Sequence, residues 1–180
     1  MSGVGLTGAQ ETYPAVRPFS PRNTPLFPMA CSLSWNPPDE LLADLDGRCF
    51  QPGWSARAFG ELRRNPAVVA ATLSGAVGTA AAFVCFALVG EEAEIHRFGV
   101  VPERRREGWG RKLLERVLQE AGRRGATTVF LEVRAGNEAA ISLYEACGFQ
   151  AVARRAGYFA DPPEDGAVLR CDLPPGGRRG

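Results

Sequence analysis

Residues 92–134 run from "EAEIHRFGVV" through "PERRREGWGRKLLERVLQEAGRRG" into "TTVFLEVR", which reads as strand, helix, strand. A helix between two strands returns the chain to the end it left, so those strands lie parallel. Upstream, "AVVAATLSG", "TAAAFVCFALVG" and "EAEIHRFGVV" are apolar runs, the last two joined through a Gly90-Glu91 turn. Short connections make those three an antiparallel meander. The chain is therefore expected to be an α/β domain on a mixed sheet.

The remaining elements follow from local signals. "CSLSW" reads as a short strand, and Asn36 with Pro37 at the first helical position opens a helix through "PDELLADL". "WSARAFGELRR" is a second helix, capped by Ser55 and stopped at Asn65-Pro66. From Gly108, the positions Leu113, Leu114, Val117, Leu118 and Ala121 recur at helical spacing, with Arg111, Glu115 and Arg116 on other faces, and Gly125 ends that helix. Asn137 caps "EAAISLYEAC", which Gly148 closes. "FQAVARRAGYF" and "AVLRCDL" supply two more strands.

Composition excludes several classes. At 180 residues the chain fits one domain with a sizeable core. A net charge of +1 gives no overall attraction to nucleic acid or to an anionic membrane. Cys31, Cys49, Cys85, Cys147 and Cys171 are scattered without a CxxC pair, which suits free thiols in a reducing cytoplasm. His96 is the only histidine, so no His-based metal centre or Ser-His triad is expected. There is no signal-peptide pattern, and "AAAFVCFALV" is too short to span a bilayer. Pro14, Pro18, Pro21, Pro25 and Pro28 make residues 1–30 an expected disordered tail, with Met29 an alternative natural start. The folded domain is expected over 31–173, followed by a flexible tail at 174–180.

Chemistry concentrates in two places. Arg105, Arg106 and Arg111 surround Gly108 and Gly110 at the mouth of a helix. Unpaired helix amides, a partial positive charge, glycines that admit close approach and guanidinium donors together form a pyrophosphate cradle. Taken alone, the same string is equally a solvated basic turn. It matches neither GxGxxG nor GxxxxGK[ST], so NAD and ATP are not supported. No aromatic platform accompanies it, which argues against nucleic acid.

The second place is "TTVFLEVRAGNEAAISLYEACGF". Glu132 interrupts an apolar strand, where a carboxylate is costly unless it faces a cleft or has partners. It is either a general base or a polar residue on a half-solvated face. Tyr144 on the following helix is either a core residue or, given a basic leaving group, a proton donor. Asn137 can cap its helix, contact a ligand, or do both.

Together these residues resemble the GCN5-related N-acetyltransferase (GNAT) superfamily. Arg105-Arg106-Glu107-Gly108-Trp109-Gly110 matches its acetyl-CoA motif, Arg/Gln-x-x-Gly-x-Gly/Ala, and "FGVVP" looks like its bulged central strand. Within the family, "LEVRAGNEAAISLYEACGF", "RRAGYF" and "CFQPGWSARAF" are similar to the RimI type, over roughly residues 31–173.

The resemblance implies a mostly antiparallel central sheet flanked by helices, with a parallel strand pair splayed at the acetyl-CoA site. It implies that acetyl-CoA is the co-substrate, with no metal. Phe98, Gly99 and Val100 would hold the acetyl-pantetheine arm, Arg105, Arg106, Glu107, Gly108, Trp109, Gly110 and Arg111 the pyrophosphate, and Asn137 the cofactor as well. Glu132 would be the proton acceptor and Tyr144 the donor. The acceptor would be a protein N-terminus, the alanine of small-subunit ribosomal protein eighteen. Three departures bear on the acceptor: a glycine inserted in Pro52-Gly53-Trp54-Ser55, Phe159 where a second tyrosine is common, and the proline-rich tail. Another N-terminus, a small amine, or a CoA-binding module without turnover are the alternatives. Oligomeric state is not legible.

Overall fold

The computed structural model of the chain describes residues 31–76 and 78–174. The expected tail over 1–30, with Met29, and the chain beyond Pro174 lie outside the described residues. The order is β1 (Cys31–Trp35), α1 (Asp39–Cys49), α2 (Ala56–Arg63), β2 (Val68–Gly75), β3 (Ala80–Val89), β4 (Glu92–Val100), α3 (Trp109–Arg123), β5 (Thr128–Arg134), α4 (Glu138–Ala146), β6 (Gln150–Ala160) and β7 (Pro163–Asp172). A single 3₁₀ turn, Pro102–Arg104, precedes α3.

The strands form one sheet in the order β1-β2-β3-β4-β5-β7-β6. All neighbours are antiparallel except β4 and β5, which the α3 crossover makes parallel, as the strand–helix–strand pattern requires. β2 and β3 are buried along almost their whole length because helices cover both of their faces, so they read as continuous apolar runs. On one face α3 packs Leu113, Leu114, Val117, Leu118 and Ala121 against Val84, Phe86 and Leu131, and α4 adds Tyr144 and Cys147. On the other, Leu42, Leu45 and Phe59 of α1 and α2 cover Ala70, Phe83 and Cys85. No helix among the described residues is long and apolar enough to cross a membrane.

Three local expectations are corrected. α1 opens at Asp39 and not at Pro37, because the sheet captures Asn36: its N–H donates to the Ala70 carbonyl (2.8 Å) and its Oδ1 accepts from Ala70 N (3.4 Å). Glu115 is not on a free face of α3. It is buried and accepts from Arg111 Nε at 2.9 Å, so the pair satisfies a charge that burial alone would penalise. β7 begins at Pro163, four residues before the apolar run that announced it, since Asp165 and Glu164 are tied to Arg154 and Arg134.

Gly99 of β4 has no room for a side chain: a Cβ there would lie 2.4 Å from Phe83 Cε1 and 3.0 Å from Cys49 Sγ. Phe83 is fully buried and cannot retreat cheaply. Gly99→Ala is expected to cost about 1–3 kcal/mol in urea unfolding, and an unchanged midpoint would show that β4 shifts freely. At the end of α3, hydrogen bonds from Arg123 and Arg124 hold the Glu120 carboxyl down to about 2. A depressed carboxylate stabilises fully above its unfolded value, about 4.3, and loses that contribution as pH falls toward the folded value. The thermal-stability advantage of the parent over Glu120→Gln should be complete at pH 6 and gone by about pH 2.

Candidate active site

The site is built on a fork in the sheet. β4 and β5 pair only from Glu92–Ile95 to Thr128–Leu131. Beyond that point β4 stays with β3 and β5 stays with β7, so Phe98–Val100 and Glu132–Arg134 form two diverging arms. The divergence starts at a bulge: Phe86 pairs with Ile95 and Cys85 with Arg97, leaving His96 as the extra residue. After it, Val101 N–H donates to the Ala81 carbonyl (3.0 Å). Antiparallel alternation then turns the Gly99 amide toward β3, and the backbone groups of Phe98 and Val100 toward the fork. Arg105 Nε donates to the Val100 carbonyl at 3.1 Å, tying the basic turn to this arm.

Beyond the arm, the chain turns through two left-handed residues, Arg106 (φ +65°) and Gly108 (φ +83°), into α3. Ser55 and Asn137 cap α2 and α4 through their side chains, but no side chain caps α3. Its first i−4 bond is Lys112 N–H to the Gly108 carbonyl, so the amides of Trp109, Gly110 and Arg111 precede the ladder. An uncapped helix start after a left-handed turn is an anion-binding concavity, which fits the diphosphate of a coenzyme. The flanking side chains are largely committed elsewhere. Glu107 accepts from Arg104 (2.8 Å) and from the buried Trp109 indole (3.0 Å), and Arg111 pairs with Glu115. Arg106 is exposed. Glu107, Trp109 and Arg111 thus brace the turn with their side chains, which leaves the backbone amides of Trp109 and Arg111 for an anion. Asn137 Oδ1 is taken by Ala140 N–H (3.2 Å), leaving its amide nitrogen for other contacts.

Glu132 is the first residue of β5 past the last position paired with β4. Its neighbours Leu131 and Val133 join the α3/α4 core, so alternation places Glu132 on the opposite, α1/α2 face. It pairs with Arg155 Nη1 at 3.0 Å, and the Tyr158 hydroxyl donates to it, which raises the Tyr158 pKa. A cavity of about 360 Å³ opens there, lined among others by Glu92, Glu94, Phe130, Glu132, Arg155 and Val168. Three carboxylates against one guanidinium favour a cation.

Tyr144 lies on the other face, its ring between Phe98 (6.1 Å) and Phe149 (5.8 Å). Its hydroxyl bonds no other described residue, and it is not among the buried unpartnered oxygens, so it reaches the surface. Burial raises its pKa well above 10, keeping the phenol protonated. Burial also lifts the Cys147 thiol to about 11, which makes it a packing group and not a nucleophile. Among the described residues, no cluster of three or more His, Cys, Asp or Glu could hold a metal ion.

Residues 37–149 match the model of the acetyltransferase (GNAT) family. The chain belongs to that family. The [ribosomal protein bS18]-alanine N-acetyltransferase of Escherichia coli K12 is 44% identical over 94 residues, which are 51% of this chain and 64% of that protein, under two thirds of its length. N-alpha-acetyltransferase RimI of Mycobacterium tuberculosis is 42% identical over 81 residues, 45% of this chain and 49% of its own. The crystal structure of the ribosomal-protein-S18-alanine N-acetyltransferase from Escherichia coli superposes with a TM-score of 0.74 at 30% identity, covering 84% of this chain and 99% of that one. The mixed, mostly antiparallel sheet with one splayed parallel pair is the fold expected of a GNAT member.

Two partnerships escaped sequence reading. Arg155 reaches Glu132 only because β7 lies between β5 and β6, pairing Glu132 with Val168 and Val168 with Ala153. Arg97 meets Asp46 across 51 residues of chain. Neither leaves a local signal, although "RRAGYF" had marked the first region. Because the Tyr144 hydroxyl has no hydrogen-bond partner among the described residues, Tyr144→Phe should unfold within about 0.5 kcal/mol of the parent, and a loss above about 1 kcal/mol would reveal a structural bond.

Proposed function

We propose that the chain transfers the acetyl group of acetyl-CoA to the α-amine of a protein N-terminus, with the N-terminal alanine of ribosomal protein S18 as acceptor. The acceptor follows the activity for which the Escherichia coli relative is named. The observation that carries the chemistry is Glu132 standing at the point where β4 and β5 part.

Acetyl-CoA, when bound, supplies the acetyl group as a thioester. The amides of Gly108 to Arg111, with Arg105 and Arg106, would hold its diphosphate, the backbone of Phe98–Val100 its pantetheine arm, and the Asn137 amide would add a contact. Glu132 takes the proton of the acceptor ammonium, whose pKa is only about 8. The ammonium would displace Arg155 from the carboxylate, exchanging one cation for another. The neutral amine attacks the carbonyl carbon, and the Val100 N–H, turned to the fork, donates to the oxygen that gains charge. As the carbon–sulfur bond breaks, Tyr144 would give its proton to the departing sulfur. The proton that the nitrogen sheds in becoming an amide would pass through solvent to restore the phenol. A phenol made less acidic by burial stays protonated and so suits a basic thiolate leaving group.

Glu132→Gln is expected to lower kcat by roughly 10²–10⁴ with coenzyme A affinity by calorimetry unchanged. Full turnover in that variant would remove Glu132 from the proton path. Tyr144→Phe should also turn over slowly while binding the coenzyme normally, and lost affinity would make it a packing residue only. Acetylation of an Ala-starting peptide, but not of a Lys-containing peptide with a blocked N-terminus, is the expected acceptor pattern. The reverse pattern points to another amine, and coenzyme binding without either product points to a non-catalytic module.

A further inference from the structure

Asp46 is fully buried near the end of α1, and it is bonded on every side. Its Oδ1 accepts from Arg97 Nε (2.6 Å), and its Oδ2 accepts from Arg97 Nη2 (3.0 Å) and from the Trp54 N–H. The Arg97 guanidinium lies over the Phe50 ring (3.9 Å) and the Trp54 ring (4.9 Å). One charge pair therefore gathers both ends of the loop between α1 and α2. The loop is also pressed onto α1: a Cβ on Gly53 would stand 2.7 Å from Gly47 Cα, so the glycine inserted in this segment is the residue that lets it close down.

Arg97 is the residue between the bulge at His96 and Phe98, the first fork-facing position. The other end of the tie is thus the arm of β4 that lines the fork. Cys49, at the loop's start, stands against Gly99 of the same arm. This is the α1/α2 face of the sheet, the face of Glu132 and its cavity, and not the face of Tyr144. The loop carries Gln51, Pro52 and Gly53 at the surface on the same face of the sheet as Glu132, tied to the β4 arm of the fork.

A buried ion pair contributes little net stability, since desolvating two charges offsets their attraction, and apolar residues of similar volume often do as well. Its value lies in geometry. A bidentate guanidinium held between two rings fixes distance and angle in a way that apolar contact does not.

We propose that Asp46–Arg97 is a positioning pair for the acceptor, holding the Phe50–Trp54 loop against β4 so that the incoming N-terminus meets Glu132 in register. The proposal rests on acetyl transfer at the fork, as argued above. Neither residue contacts the reacting atoms; both act through the loop.

The test uses the full chain, with Asp46→Asn and the double variant Asp46→Leu/Arg97→Met, the second exchanging the whole pair for apolar side chains. In both, the KM for an Ala-starting peptide should rise about tenfold or more, with the KM for acetyl-CoA within about twofold of the parent. Trypsin should cut several-fold faster at Arg48 and Arg57, which flank the loop, and at the parental rate elsewhere. An unchanged peptide KM overturns the proposal, even if the loop is cut faster. So does a joint rise of both KM values with faster cutting throughout, which marks a merely structural pair, and so does failure of both variants to fold. If the parent binds coenzyme A but acetylates no peptide, the proposed function has failed. The cleavage rates at Arg48 and Arg57 then decide alone whether the pair holds the loop.

Discussion

Two parallel strands that stop pairing midway leave backbone donors and acceptors on both inner edges, and such groups demand partners. In this chain the break falls after Ile95 and Leu131. The outer edges of both arms remain laddered, β4 on β3 and β5 on β7, so the opening is held rigid from either side. It is a slot through the sheet between two supported strands, with no mobile loop needed to form it. Functional groups mounted on strands keep their geometry better than groups on loops. The bulge at His96 is what bends β4 aside, and the β7 ladder along the whole of β5 is what keeps the other arm straight.

The basic turn extends that slot by the same logic. Four arginines beside two glycines suggest a ligand gripped by side chains. The side chains mostly grip the protein: Arg104 holds Glu107, Arg105 holds the Val100 carbonyl, and Arg111 holds Glu115. Glu107 in turn anchors the Trp109 indole in the core. This internal bracing fixes a left-handed turn at a helix start whose first amides precede the hydrogen-bond ladder and carry no side-chain cap. The positive potential comes from the helix and from the arginines that stay exposed.

Most of this architecture was legible because it rests on short-range rules. The parallel pair follows from one crossover, the α3 face from its leucines, and the helix limits from Ser55, Asn137 and Gly148. Glu132 was visible as a charge inside an apolar strand. What stayed hidden depends on pairing across long stretches of chain. Asn36 has cap chemistry, but the edge of β2 outcompetes α1 for it. The Pro163–Gly166 segment has turn composition, yet β6 and the arginines opposite its acids draw it into a strand. Arg155 and Arg97 look like ordinary surface cations until the strand order brings each to a carboxylate.

In the proposed reaction, the slot would let a carboxylate and a phenol each serve a step without disabling the other. Glu132 opens to the α1/α2 face and Tyr144 is packed on the α3/α4 face, with the sheet between them. Direct contact would let them share a proton and become one coupled acid, suited neither to taking nor to giving. Separated by the sheet, each keeps its own surroundings: the Arg155 guanidinium, the Tyr158 hydroxyl and a cavity around Glu132, aromatic rings around Tyr144. Burial keeps the phenol from losing its proton, while Glu132 stays paired with a guanidinium. In that reaction the amine and the thioester would lie in the fork between the arms of β4 and β5, so the route of the proton would follow from the parting of two strands.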